Sequence, residues 1–338
     1  MSKLHEATGM GQSIWLNGFD RPFIHNHRLS KLIKLGVHGI TTHPQTIATA
    51  LAASHDYDQQ LQELVHKGHD IGQIAERLLF TDIQTAVDLI HPIYERTAAV
   101  DGYVSLDLNP VLTANADEMV SEGLRLAYDI DRVNVMIQIP ATPIGLQAIE
   151  QLIGEGINVN ATHIYTVETY EKVAQAYLAG LDYFWSHMSV WRLPPTSTAT
   201  LPVTQLDQAL ATQLPETTFP DEPTSATAGV ALATLLYGRF QQIFNGAEWH
   251  ALAKQGSHRQ RPLWASSSDP HYLHTLMAPH TIHSLPAAHI ATFLAESRLH
   301  NTLTTAQDKA QQILADLTQQ GVTLLTLEKQ LQAEATTD

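Results

Sequence analysis

The chain contains no cysteine, which excludes disulfide bonds and thiolate chemistry. This composition is compatible with a reducing compartment, and we expect a cytoplasmic protein. The sequence also lacks any apolar run of the roughly 20 residues that a membrane-spanning helix needs. Its N-terminus shows no apolar core of a signal peptide. We therefore expect neither a membrane anchor nor export.

Positive charge is scarce, because 19 Lys and Arg residues stand against 34 Asp and Glu residues, for a formal net charge of −15. Nucleic acids and anionic membranes would repel such a chain, so neither is an expected partner. Histidine is abundant, with 19 residues. We expect most of these histidines at the surface, and their number alone does not indicate a metal site.

Short apolar runs alternate with longer amphipathic stretches, which is typical of βα units around a parallel sheet. With 338 residues, 44% of them hydrophobic, the chain is long enough for one large barrel or two medium domains. The candidate strands are Ser13–Asn17, His38–Thr42, Tyr103–Leu108, Val133–Gln138, Ile157–Thr162, Phe184–Val190, Pro262–Ser266 and Thr281–Ser284. The candidate helices between them include Tyr57–Lys67, Gln84–Arg96, Asp117–Ala127, Ile144–Gly154 and Val167–Ala179.

Eight strands with intervening helices predict an α/β fold, a closed (β/α)8 TIM barrel over 1–338. An open doubly wound sheet is the alternative, but no Gly-x-Gly-x-x-Gly turn follows the first strand. The Pro- and Thr-rich segment 194–227 predicts a long loop with one short helix near Thr204–Thr212. It would form a lid over the functional face or a surface insertion. The segment 303–338 predicts C-terminal helices.

Six ordered segments carry a resemblance to a known family. They are Ser13–Leu16, Gly39–Pro44, Asp101–Asp107, Ile139–Thr142, Glu155–Thr162 and Arg261–Ser266. In this order and spacing they resemble the transaldolase family, from about Ser13 to about Gln332. The resemblance implies the same barrel, with functional residues at the carboxyl ends of its strands, and a homodimer.

The central residue of that family differs in this chain. The segment Val133–Thr142 reads Val-Asn-Val-Met-Ile-Gln-Ile-Pro-Ala-Thr, where transaldolases have Ile-Lys-Ile-Pro-Ala-Thr. The family lysine, which forms a Schiff base with a ketose, matches Gln138. A carboxamide cannot form an imine, so the resemblance implies a protein that lacks the covalent mechanism at this position. None of the eight lysines falls at the end of a predicted strand.

The other family positions are also informative. The resemblance places Asn17 where the first strand ends in an aspartate, and His43, next to Thr42, where the second ends in an asparagine. It places Asp107 at the position of the relay glutamate and keeps the relay threonine as Thr162. His43 introduces a group that titrates near neutral pH. A purely structural, hydrogen-bonding role is the alternative for each of these residues.

The resemblance also indicates substrate-binding positions. It matches Arg192 to the arginine after strand six, His187 to the serine five residues earlier and Ser189 to the aromatic residue three earlier. After strand seven, Ser266 begins Ser-Ser-Ser-Asp-Pro, where the family has a lysine. An anion at this point disfavours a bound phosphate.

These positions predict an enzyme that acts without a Schiff base on a small carbonyl or sugar-derived substrate. Its acid–base chemistry would be aldol-type cleavage or condensation, cyclisation or isomerisation, for example in a specialised biosynthetic pathway. The alternative is a non-catalytic homologue that binds a metabolite or a protein partner. No cofactor is expected, although His43, Asp107 and His187 together have ligand types that suit zinc or iron.

Overall fold

The computed structural model is a closed barrel of eight parallel strands in sequential order, β1 to β8, with β8 pairing back onto β1. This confirms the predicted (β/α)8 barrel. The structure describes residues 2–42, 44–108, 112, 114–187, 193–213, 225–266, 270–296, 299–304 and 306–335. No helix within these ranges is long and apolar enough to cross a membrane.

Seven of the eight predicted strands are confirmed to within two residues at either end. The strands are β1 Gln12–Asn17, β2 Val37–Thr41, β3 Val104–Asp107, β4 Val135–Pro140, β5 Val159–Thr162, β6 Ser197–Pro202, β7 Arg261–Ala265 and β8 Thr281–Pro286. Nearly all of their residues are buried, which is why they read as apolar runs.

Helices cover the outside of the barrel. They are α1 Lys3–Gly9, α2 Arg21–His25, α3 Arg28–Leu35, α4 Pro44–Ala53, α5 Asp58–His66, α6 Ile71–Arg96, α7 Ala116–Ile130, α8 Pro143–Gly154, α9 Val167–His187, α10 Val203–Gln213, α11 Ser225–Ile243, α12 Ala247–Lys254, α13 Pro270–Thr275, α14 Ala287–Glu296, α15 Gln307–Gln319 and α16 Leu324–Ala335. Side chains set several of their starts. Thr142 accepts the backbone N–H of Gly145 and has Pro143 after it, an arrangement that favours a helix start.

The prediction of the sixth strand is wrong. Phe184–Val190 was expected to be a strand, but its described part is the last turn of α9. The true strand β6 lies within the segment 194–227, which was predicted as a loop or lid. The short helix predicted near Thr204–Thr212 within this segment is confirmed as α10. The apolar run Tyr183–Trp185 misled the prediction, whereas β6 is rich in Ser and Thr because it contributes hydroxyls to the barrel interior.

Apolar side chains fill the middle of the barrel. Trp15, Met136, Leu263 and Ile282 belong to one buried cluster that is separate from the cluster under the helices. Gly39 makes room for this layer, because a Cβ atom there would lie 2.1 Å from the indole ring of Trp15. We call these four side chains the apolar layer.

Below the apolar layer, at the amino ends of the strands, a buried ion pair joins two distant motifs. Nη1 of Arg261 lies 2.9 Å from Oδ1 of Asp101, and Nη2 donates to Ser13 at 2.6 Å. Trp15 also donates its indole N–H to Asp101 at 3.1 Å. Burial opposes ionisation, but the charge of Arg261 and the hydrogen bonds from His38 and Ser13 outweigh it and lower the pKa of Asp101 to about 2.

Candidate functional site

The chemistry-bearing residues gather above the apolar layer, at the carboxyl ends of the strands. Asp107 ends β3, and its register partner on β4 is Gln138, whose own partner on β5 is Asn160. We call this end of the barrel the mouth. In barrels of this kind, the strand carboxyl ends are where active sites lie.

Asp107 is an acidic residue of the mouth whose ionisation the fold alters strongly. Burial raises its pKa from 3.8 to about 7. A carboxyl group with a pKa near 7 exists in both forms at neutral pH, so it can take up and return a proton. The predicted proton-transfer residue therefore has an ionisation that suits this role.

Gln138 is fixed by the backbone of the two preceding strands. Its Nε2 donates to the carbonyl oxygens of Thr42 at 3.3 Å and Ser105 at 3.2 Å. Both amide N–H groups are committed in this way, and only the oxygen Oε1 remains for a substrate. Gln138 therefore offers a hydrogen-bond acceptor. Thr42, expected to bind substrate, uses its own hydroxyl to donate to the carbonyl oxygen of Ser105 at 3.0 Å.

Asn17 lies at the end of β1, as expected, and is partly exposed. Its Oδ1 accepts a hydrogen bond from Thr41 at 3.1 Å, and the Thr41 hydroxyl lies 3.1 Å from that of Ser284. A second polar chain crosses β3, β5 and β6. Asn160 donates to the hydroxyl of Ser105 at 3.0 Å and accepts from Thr200 at 2.7 Å. Neutral donors and acceptors thus line two sides of the mouth.

Thr162 ends β5, as predicted, and its hydroxyl lies next to the imidazole of His163. Oγ1 of Thr162 lies 2.9 Å from Nδ1 of His163. A strand alternation would turn His163 away from Thr162, but β5 stops at Thr162 and His163 adopts a left-handed backbone with φ of 59°. The change of backbone region returns the imidazole to the hydroxyl.

The helix α16 packs against the mouth and forms hydrogen bonds with the segments that follow β4 and β5. Gln332 donates to the carbonyl oxygens of His163 at 3.0 Å and Ala141 at 3.2 Å. One turn earlier, the buried Glu328 accepts from the backbone N–H of Tyr165 at 2.8 Å and from Thr169 at 2.7 Å. Glu328 therefore satisfies donors at the start of α9.

Ser266, expected to bind substrate, follows β7 and is buried. Its Oγ lies 2.6 Å from Nε2 of His283. Burial lowers the pKa of His283 to about 3, so this imidazole is neutral. The neighbours of His283 in sequence face the barrel interior, so His283 itself points toward the surrounding helices. This contact stabilises the end of β7.

His43, Ser189 and Arg192 lie outside the described residues. His187 ends α9, roughly 30 Å along the helix from its start at the mouth. Its ring is exposed, stacks on Tyr183 with 4.0 Å between ring centroids and lies 2.9 Å from the carbonyl oxygen of Tyr183.

Because His187 lies far from the mouth, it cannot join Asp107 in the metal triad that the sequence suggested. Within the described ranges no three His, Asp or Glu side chains converge in a way that would hold a metal ion. With β6 at Ser197–Pro202, the residues that follow the sixth strand are Val203, Thr204 and Gln205, not Arg192. Leu193, the next residue after Arg192, lines a pocket together with Asp131 and Gly156. Both follow helices that lead to the opposite end of the barrel.

Comparison with known proteins agrees with this architecture. Residues 14–338 match the family described as Transaldolase/Fructose-6-phosphate aldolase. The chain is 33% identical to Transaldolase 1 of Streptomyces avermitilis, over 99% of this chain and 91% of that one. It is 37% identical to a transaldolase of Saccharopolyspora erythraea, over 81% of this chain and 75% of that one.

A solved structure is a more distant match. An uncharacterized protein from Clostridium thermocellum that binds two copies of 5-methyl-5,6,7,8-tetrahydrofolic acid aligns with 92% of this chain and 99% of its own. The TM-score is 0.32 and the identity 10%. A likeness at this level informs neither the site nor the function.

Proposed function

This chain belongs to the transaldolase family, and we propose that it is a diverged member that handles a small carbonyl or sugar-derived substrate by acid–base chemistry, without an imine. The observation that carries the proposal is the register pair Asp107 and Gln138. A carboxyl group with a pKa of about 7 lies beside a carboxamide at the position where the family's Schiff-base lysine is expected.

In this proposal Asp107 is the catalytic base. Its carboxylate takes a proton from a carbon next to the substrate carbonyl, or from a hydroxyl group during an aldol-type step, and returns it to the product. Burial makes the carboxylate a stronger base than an exposed aspartate. Such a step is common to aldol cleavage, cyclisation and isomerisation, so the assignment does not select among them.

The neutral groups of the mouth position the substrate. Oε1 of Gln138 accepts a hydrogen bond from a substrate hydroxyl, since its N–H groups are committed to Thr42 and Ser105. The amide of Asn17 provides a further contact, and Thr162 holds a water molecule. His43 follows Thr42 in sequence, and we propose it as a second proton-transfer group.

The test is proton exchange in D2O with dihydroxyacetone as the probe. We expect the CH2 signals in the 1H NMR spectrum to decay in the presence of the wild-type protein, faster as the pH rises through about 7. Asp107→Asn should abolish this decay, because an amide cannot accept the proton. The matched control is Asp182→Asn, which changes an exposed residue of α9 and should leave the rate unchanged.

Three outcomes would contradict the proposal. A covalent adduct of dihydroxyacetone after borohydride reduction, detected by mass spectrometry, would show that an imine forms on another lysine. Equal exchange in wild type and Asp107→Asn would remove Asp107 from its role. If the wild type binds the probe but catalyses no exchange, the non-catalytic binding protein becomes the better description.

A further inference from the structure

We propose that His163 is a positioning residue of the mouth, which orients the hydroxyl of Thr162 through Nδ1 and is itself held by α16. The inference rests on the proposed function for its catalytic consequence. The hydrogen-bond contact on which it depends involves only residues of the protein.

The backbone at residue 163 places the imidazole where it can act. Oγ1 of Thr162 and Nδ1 of His163 are 2.9 Å apart, a normal hydrogen-bond distance. The φ of 59° puts His163 in the left-handed region, which is unfavourable for a residue other than glycine. Such conformations persist only where the surrounding structure enforces them, and they cluster at functional sites.

Two side chains of α16, Gln332 and Glu328, contact the backbone around His163. Gln332 binds the carbonyl oxygen of His163 and, through the same amide, that of Ala141. Glu328 binds the backbone N–H of Tyr165, two residues further along. The described part of α16 thus holds the backbone that directly follows the imidazole, from the carbonyl group of His163 to the N–H of Tyr165.

The consequence concerns the hydroxyl proton of Thr162. A neutral imidazole that accepts this proton at Nδ1 leaves the oxygen of Thr162 to accept a hydrogen bond from a water molecule or a substrate hydroxyl. Without the imidazole the hydroxyl rotates freely and loses this fixed direction. Thr162 touches the reacting groups in the proposed function, and His163 acts through it. No covalent bond is made or broken in this role.

The first experiment is a double-mutant cycle on dihydroxyacetone exchange in D2O, with His163→Ala, Thr162→Val and the double variant. If His163 acts through Thr162, each single variant lowers the rate by about 100-fold and the double variant is no slower than Thr162→Val. Asn tolerates the left-handed backbone and its amide can make the same hydrogen bond, so His163→Asn should restore most of the rate. Multiplicative losses in the double variant would overturn the inference.

The second experiment needs no activity and separates this inference from the proposed function. Imidazole 15N resonances are recorded for the wild-type protein and for Thr162→Val, and His163→Asn assigns the His163 signals. We expect the Nδ1 resonance of His163 to shift in Thr162→Val, because its hydrogen bond is lost. An unchanged resonance overturns the inference. A shifted resonance in a protein that exchanges no protons retains the contact and rejects only the acid–base function.

The matched control is a second histidine with the same backbone conformation. His280 has φ of 62° and lies just before β8, at the amino ends of the strands. His280→Asn should alter neither the exchange rate nor the His163 resonances. If His280→Asn lost as much rate as His163→Ala, the inference would be overturned, because a left-handed histidine far from the mouth would have the same effect.

Discussion

Arg261 lies 2.9 Å from Asp101, although 160 residues separate them in the sequence. Both side chains are buried, and together they tie the start of β7 to the residues just before β3. Their two motifs were recognised in the sequence as part of the family resemblance. The structure gives these motifs a stabilising role at the end of the barrel opposite the mouth.

Asp101→Asn should destabilise the protein by about 3–5 kcal/mol, because it leaves the charge of Arg261 buried without a counter-charge. The free energy of unfolding in urea measures this loss. The control is Asp88→Asn, which breaks the exposed pair of Asp88 with Arg132 and should cost less than about 1 kcal/mol. Equal losses in the two variants would contradict the assignment.

Asp107→Asn should stabilise the protein at pH 7.5 and have little effect at pH 4. In the folded state the pKa of Asp107 is about 7, against 3.8 for the ordinary group, so the folded protein prefers the protonated form. The stability that this preference gives is present below pH 4 and is lost as the pH rises through 7. An asparagine avoids that loss, which corresponds to at most about 4 kcal/mol.

Urea unfolding of wild type and Asp107→Asn at the two pH values tests this expectation. A stabilisation of equal size at pH 4 and pH 7.5 would show that packing, not ionisation, explains the difference. Asp182→Asn again serves as the exposed control, and we expect it to change the stability little at either pH.

Gly39→Ala should disrupt the apolar layer. The added methyl group would lie 2.1 Å from Cε2 and 2.3 Å from Cδ2 of Trp15, and both strands that carry these residues are held in register. Overpacking of this kind costs about 1–3 kcal/mol or more. Gly9→Ala in α1, where nothing lies within 4 Å, should be neutral or stabilising. Thermal unfolding followed by circular dichroism compares the two variants.

Gln332→Ala should loosen α16 without unfolding the barrel. It removes two hydrogen bonds to the segments after β4 and β5, each worth about 1 kcal/mol. Amide hydrogen exchange in 324–335 should become about tenfold faster or more, while exchange in β1 to β8 stays the same. Gln330→Ala, on the exposed side of the same helix, is the control. Faster exchange throughout the barrel would mean that α16 is needed for global stability.

The sequence was sufficient to predict the barrel because its buried strands are apolar runs separated by amphipathic helices. It failed at β6, where Thr198 and Thr200 face the interior and no apolar run exists. Because β6 was predicted in the wrong place, His187 was assigned to the mouth, whereas it lies at the opposite end of the barrel. Sequence spacing cannot show such an error, because it depends on where a helix ends.

The positions of the candidate site were predictable at or near a strand end, as for Asn17, Asp107 and Thr162, which end their strands, and Gln138, two residues before the end of β4. The alternation of Asn158, Asn160 and Thr162 could also have indicated Asn160 as an interior residue. His163 was missed because its position depends on a left-handed backbone, which the residue type alone does not predict. Gln332 and Glu328 were missed because their contacts with the mouth span more than 150 residues.

The apolar layer lies between the polar groups of the mouth and the buried ion pair at the other end of the barrel. The indole nitrogen of Trp15 donates to Asp101 below the layer, and the sulfur of Met136 accepts a hydrogen bond from Thr198 at 4.0 Å. Trp15, Met136, Leu263 and Ile282 place no titratable group between Asp107 and the pair of Arg261 with Asp101. In the proposed function, protonation at the mouth changes with each turnover while the ion pair that stabilises the other end keeps its charge.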